Sequence, residues 1–205
     1  MFRIKYLIML IFTLISFCSS PDTRERIIIN TGNNNSPYEK YLVSSGEYTT
    51  KGSEFHDKYL QYLLGIARII VEEKKIPVID KSIGFYYDKR EERKDKLYLG
   101  IDISAQIDST LYYSTYQGVA LAQFRKYLKD IIDVFLAGRK IFTEKEIVGS
   151  VISIRWERDK AVEMVSIWID QNDAVKYEED KITFDELIQR NFITNTEGKI
   201  IKLLL

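Results

Sequence analysis

The chain has 205 residues, with 30 basic side chains balanced by 30 acidic ones, one histidine and one cysteine. Zero net charge excludes a polybasic nucleic-acid binder, which needs a clear cationic excess. A hydrophobic content of 45% with three prolines excludes an acidic disordered tail. The single cysteine and single histidine exclude a disulfide scaffold and a Cys/His zinc site.

Residues 1–17 read as an export signal. Arg3 and Lys5 form a short positive region, and Tyr6 to Phe17 follows without a charge. A membrane-spanning helix needs about 20 apolar residues, so this run is too short to span and fits the apolar core of a signal peptide. A buried core helix would carry a polar face, and this segment has none.

Cys18 comes next, in Leu14-Ile15-Ser16-Phe17-Cys18-Ser19-Ser20. These residues resemble the processing site of a bacterial lipoprotein precursor. The resemblance implies that the Cys18 thiol receives a diacylglycerol and that the chain is cut before it. Ile15 and Ser16 fit the usual pattern. Phe17 is bulkier than the small residue preferred there and matches the relaxed, spirochaete-like form. Ordinary secretory cleavage after Ser20 is opposed by Pro21. Lipidation also accounts for a lone thiol in an exported protein. Each buried lipid CH₂ contributes about 0.8 kcal/mol, so two chains anchor stably without a polybasic patch. Ser19 points to the outer membrane under the enterobacterial sorting rule. Loss of residues 1–17 removes Arg3 and Lys5 and no acid, leaving 28 positive and 30 negative charges on 188 residues. A chain of that length buries roughly 70% of its unfolded surface in one core.

Residues 18–37 read as a lipidated cysteine and tether. Thr31-Gly32-Asn33-Asn34-Asn35-Ser36-Pro37 is polar turn chemistry, interrupted by Ile27-Ile28-Ile29, a candidate short strand. Residues 38–205 form a single domain. Apolar residues at Phe55, Tyr59, Tyr62, Leu63, Ile66 and Ile70 predict a helix over 54–75, capped by Ser53 or Thr50 and stopped by Pro77. Alternation at Ile83, Phe85 and Tyr87, and again from Leu97 to Ile103, predicts a hairpin around the charged connector 90–96. Thr115 to Gly138 repeats the helical pattern. Val148 to Trp156 and Val162 to Asp170 repeat the hairpin, with Val165, Ile167 and Ile169 on one face and Met164 and Trp168 on the other. A short strand is expected over 174–177. A helix follows over 183–190, marked by the capping-box spacing Thr183-x-x-Glu186. The turn 195–198 then leads to a last strand over 199–204. The fold class is α+β: a largely antiparallel sheet with two main helices on one face, and helix-hairpin order occurring twice.

The phosphate-binding glycine loops, H-E-x-x-H and G-x-S-x-G are absent from the sequence. His56, near a helix start, reads as solvated rather than catalytic. Asp170-Gln171-Asn172-Asp173 begins like a calcium loop but places Ala174, Val175 and Lys181 where the loop requires Asp or Asn, Gly and Glu. It leaves a looser oxygen site or, as the simpler reading, a strand-end turn. Glu178-Glu179-Asp180 reads as a solvated turn. Asp102 alternates onto the side of its strand away from the core. No catalytic, cofactor or metal residue is assigned; the one site residue is Cys18.

Tyrosine is the most suggestive component. Fourteen are present, clustered at Tyr86-Tyr87 and at Tyr112, Tyr113 and Tyr116, and large rings with few rotors favour recognition surfaces. Tyr112, Tyr113, Tyr116 and Trp168 are the candidate contact residues. The expectation is a lipid-anchored cell-envelope protein of non-enzymatic, binding or structural role. Its partners would be the membrane through the N-terminal lipid and a protein or envelope ligand, without nucleic acid or cofactor. The alternative is an envelope hydrolase using acidic or tyrosine residues outside any recognised motif.

Overall fold

The computed structural model describes residues 36–44, 48–89, 96–138 and 140–205. The signal peptide, Cys18, the Ile27-Ile28-Ile29 run and most of the 90–96 connector lie outside them. Helix α1 (Thr50–Arg68) continues into a single π-helical turn at Ile69–Glu73. It starts earlier than its apolar spacing indicates, because the cap is Thr49, whose side chain accepts from the Gly52 amide. Strands β1 (Gly84–Tyr86) and β2 (Leu97–Ser104) form the first hairpin.

A one-turn helix α2 (Ser109–Tyr112) precedes α3 (Tyr116–Ala137). Thr115 caps α3 and Gly138 closes it, as the sequence predicts. Strands β3 (Ile147–Arg158) and β4 (Ala161–Asp170) form the second hairpin.

The six strands lie in the order in which they occur in the chain, β1 to β6. Every neighbouring pair is antiparallel except β2 and β3, which run parallel from Leu97↔Ile147 to Ser104↔Arg155. Helix-hairpin order occurs twice, and the parallel pair is the seam between the two copies.

Three local expectations change. Residues 174–177 are not a strand: they lie in helix α4 (Gln171–Glu178), started by the Asp170 side chain, which accepts from the Asn172 amide. Lys129 closes its other end by donating to the Tyr177 and Glu178 carbonyls at 2.9 Å. Helix α5 (Phe184–Arg190) has both halves of the Thr183/Glu186 capping box. After it comes an additional strand, β5 (Phe192–Asn195). The last strand, β6, is only Ile200–Ile201, paired with Ile193 and Thr194. The turn between them places Gly198 at φ +74°, a left-handed conformation that favours glycine.

One face of the sheet carries the core. Leu99, Ile101, Ile103, Ile152, Ile154, Val165, Ile167 and Ile169 are completely buried there, in one cluster with the apolar sides of α1 and α3. Ala174 of α4 and Leu187 and Ile188 of α5 join that cluster. On the opposite face the Trp168 ring meets Tyr98 edge-on at 5.0 Å and stacks on Phe192 at 5.6 Å. Tyr98 and Trp168 reach each other across β3, where Gly149 is the partner of Tyr98. A Cβ at Gly149 would fall 3.0 Å from the Ile169 carbonyl carbon. Asp102, on the non-core side as expected, pairs with Arg155. The Ser153 and Ser166 hydroxyls bond each other at 2.8 Å.

Candidate recognition surface at the β3–β4 tip

The second hairpin ends in a two-residue turn. Arg158 and Ala161 are the last paired residues, and Asp159 and Lys160 both have positive φ, 52° and 64°. This mirror-image turn matches strand twist, but it favours Asn-Gly or Asp-Gly. A lysine in its second position is strained.

Several interactions hold this tip against the start of α3. Glu163, opposite Trp156 in the ladder, accepts from the Trp156 indole N–H at 2.6 Å and from Arg158 at 2.6 Å. The other arm of the Arg158 guanidinium donates to the Ser114 carbonyl at 2.6 Å. The Tyr116 hydroxyl donates to the Met164 carbonyl at 2.7 Å, and its ring packs 5.5 Å from Trp156. Burial and the nearby Glu163 carboxylate push the Tyr116 hydroxyl up to about 12, so it stays protonated. Trp156 itself is 2% exposed.

Outside this buttress stands an aromatic pair. The Tyr112 hydroxyl donates to Asp159, and that bond holds its pKa above the ordinary phenol value. The Tyr113 ring lies edge-on to Tyr112 at 5.3 Å and is 89% exposed. Val162, on the other side of the turn, is 61% exposed. These are three of the six large apolar side chains exposed among the described residues. A cleft of about 270 Å³ adjoins the buttress rather than these three residues, lined by Tyr116, Gln117, Glu163, Asn195, Thr196, Glu197 and Ile201.

The four candidate contact residues therefore separate. Tyr112 and Tyr113 form the exposed surface. Tyr116 turns inward as part of its support. Trp168 lies on the non-core face of the sheet with Tyr98 and Phe192. Sequence reasoning missed Asp159, Arg158, Val162 and Glu163. A signal existed for the last: a hairpin centred on 159 and 160 sets Glu163 opposite Trp156. None existed for the contact between Tyr112 and Asp159, which are far apart in the chain.

The remaining candidates resolve as follows. His56 is half-buried rather than fully solvated: its Nδ1 is buried without a hydrogen-bond partner, its ring lies 5.4 Å from Tyr48, and burial holds its pKa below the ordinary imidazole value. Asp170 caps α4, and Asp173 lies within ion-pair reach of Lys176 and Arg190 and accepts from Asn191. No cluster of three metal-ligating side chains occurs among the described residues. Asp180 accepts from Lys129 at 3.1 Å, so the 178–180 turn takes part in closing α4. A second cleft, of about 590 Å³, lies at the other end of the sheet around Phe142, Glu144, Asp170 and Asn172. No helix of the described residues is long and apolar enough to cross a membrane. No protein-family model, curated protein or solved structure matches this chain.

Proposed function

We propose that the chain is a lipid-anchored cell-envelope protein, held through Cys18, whose α+β domain has a binding role. The observation that carries the binding half is the Tyr112–Tyr113 pair. Two aromatic rings stand at the surface at the end of α2, joined through the Tyr112 hydroxyl to Asp159 of a hairpin tip that Trp156, Arg158 and Glu163 hold from behind. Exposed tyrosine on a rigid support loses little conformational entropy on contact. The anchor half is supported by the charge-free run before Cys18 and the polar tether after it.

The test is intact-mass and N-terminal peptide mass spectrometry on protein from native membranes, beside a Cys18→Ser variant. A mature N-terminus at Cys18 bearing acyl mass, absent from the variant, is the expected result. An unmodified N-terminus elsewhere would sink the anchor.

A further inference from the structure

We infer that the Tyr112–Tyr113–Val162 tip is a bilayer contact: the anchored domain rests this end of its sheet on the lipid surface that holds Cys18. The inference depends on the lipid-anchor reading and adds to it an orientation and a contact site. Four observations favour a bilayer over a protein partner.

The first is size. Three exposed side chains fall well short of the roughly 800 Å² per partner that a stable protein interface buries. A tethered surface needs far less. A short tether supplies an effective concentration on the order of millimolar, so a contact too weak to hold a free partner is occupied once the chain is anchored.

The second is chemistry. Tyrosine is enriched at membrane–water boundaries because its body is apolar and its tip is wet. Here the Tyr113 ring is 89% exposed beside Tyr112, whose hydroxyl is engaged by Asp159, and Val162 is exposed on the opposite side of the hairpin.

The third is charge. Over residues 157–163, Glu157, Asp159 and Glu163 outnumber Arg158 and Lys160 by one, and Arg158 is taken up by Glu163. A patch without a cationic excess has no preference for anionic lipid and is not repelled by a zwitterionic headgroup layer.

The fourth is where the chain enters. The Lys40 and Tyr41 carbonyls accept from Lys81, Ser82 and Ile83. Ser82 in turn bonds the Asp102 carbonyl, near the C-terminal end of β2. The β3–β4 hairpin projects past that same end, because β3 runs parallel to β2 and continues beyond Ser104. The residues from Cys18 to Ser36 span at most about 60 Å when extended, which leaves this end within reach of the bilayer.

The test separates the contact from the anchor. Mature chain made without acylation is coupled through the Cys18 thiol to a maleimide lipid in phosphatidylcholine vesicles. Backbone hydrogen exchange is compared with that of uncoupled chain. The expected result is several-fold slower exchange in residues 109–116 and 157–162, unchanged exchange in α4 at the other end of the sheet, and insensitivity to salt. The Tyr113→Ser/Val162→Ser double variant should lose the protection while keeping its unfolding midpoint, because both side chains are exposed. Unprotected tip segments, protection that survives the double variant, or protection only on anionic lipid would each overturn the contact. Native protein carrying acyl mass with an unprotected tip refutes the contact and spares the anchor. Protection on coupled vesicles with an unmodified native N-terminus refutes the anchor reading, and with it the orientation in the cell.

Discussion

Trp156 and Glu163 face each other across the β3–β4 ladder on the core side of the sheet, and the buried indole donates to the carboxylate at 2.6 Å. The other carboxylate oxygen accepts from Arg158. One acid therefore satisfies two donors that sit largely out of water. Glu163→Ala should lower the unfolding free energy by about 2–3 kcal/mol, because it strands both donors. Trp156→Phe keeps most of the packing and should cost about 1–2 kcal/mol. Urea denaturation of the two single variants and the double variant measures the coupling. An additive double variant would show that the pair is not a unit.

The turn beyond this pair offers the opposite sign. Lys160 occupies a left-handed conformation at φ 64°, which costs a non-glycine residue roughly 1–2 kcal/mol. Lys160→Gly converts the turn to Asp-Gly and should stabilise the domain by about 0.5–1 kcal/mol, after the extra freedom it gives the unfolded chain. Thermal unfolding reads this as a rise in midpoint. A fall would mean that the lysine side chain makes a contribution larger than its backbone strain.

His56 makes stability depend on pH. Burial lowers its pKa in the folded state, with Asp57 and Glu39 acting weakly the other way. The unfolded chain, with an imidazole pKa of about 6.5, therefore takes up the proton first. Full stability is present above about pH 6.5 and is lost as pH falls towards and through the folded-state value. Denaturation midpoints measured between neutral pH and pH 5 should decline, and His56→Gln should flatten that decline. An equal slope in the variant would assign the effect to other groups.

Helix α4 depends on a residue from another element. Lys129 of α3 donates to the Tyr177 and Glu178 carbonyls and to Asp180. Lys129→Met keeps the aliphatic stem and removes these bonds. It should destabilise the domain by about 1 kcal/mol and speed amide exchange selectively in α4. Exchange unchanged there would show that the Asp170 cap suffices.

That dependence also explains what could be read from the sequence. Helix α3 was legible in full: Thr115, the apolar repeat from Val119 to Phe135 and Gly138 are all local signals. The α+β class and both hairpins followed from alternation. Residues 174–177 misled, because Ala-Val-Lys-Tyr carries no helical stripe, and their state is set by a cap and by Lys129. Strand β5, from Phe192 to Asn195, was too short to show a pattern. The β2–β3 pairing lay beyond local reading, since alternation identifies strands and not their neighbours. At the tip, the exposed tyrosines were singled out from composition, whereas the side chains that fix them come from the opposing hairpin and carry no local mark.

The same parallel seam has a consequence for the order of folding. Strands β1 and β2 close on each other locally, as do β3 and β4 and β5 and β6. Joining β2 to β3 requires closing the loop that contains α2 and α3, and loop-closure entropy opposes this before any contact repays it. The seam is therefore expected to form at the rate-limiting step, between two helix-hairpin units already partly assembled. In denaturant-dependent kinetics, Ile152→Val should chiefly slow refolding, and Val162→Ala should change refolding little. The reverse pattern would place the nucleus at the hairpin tip.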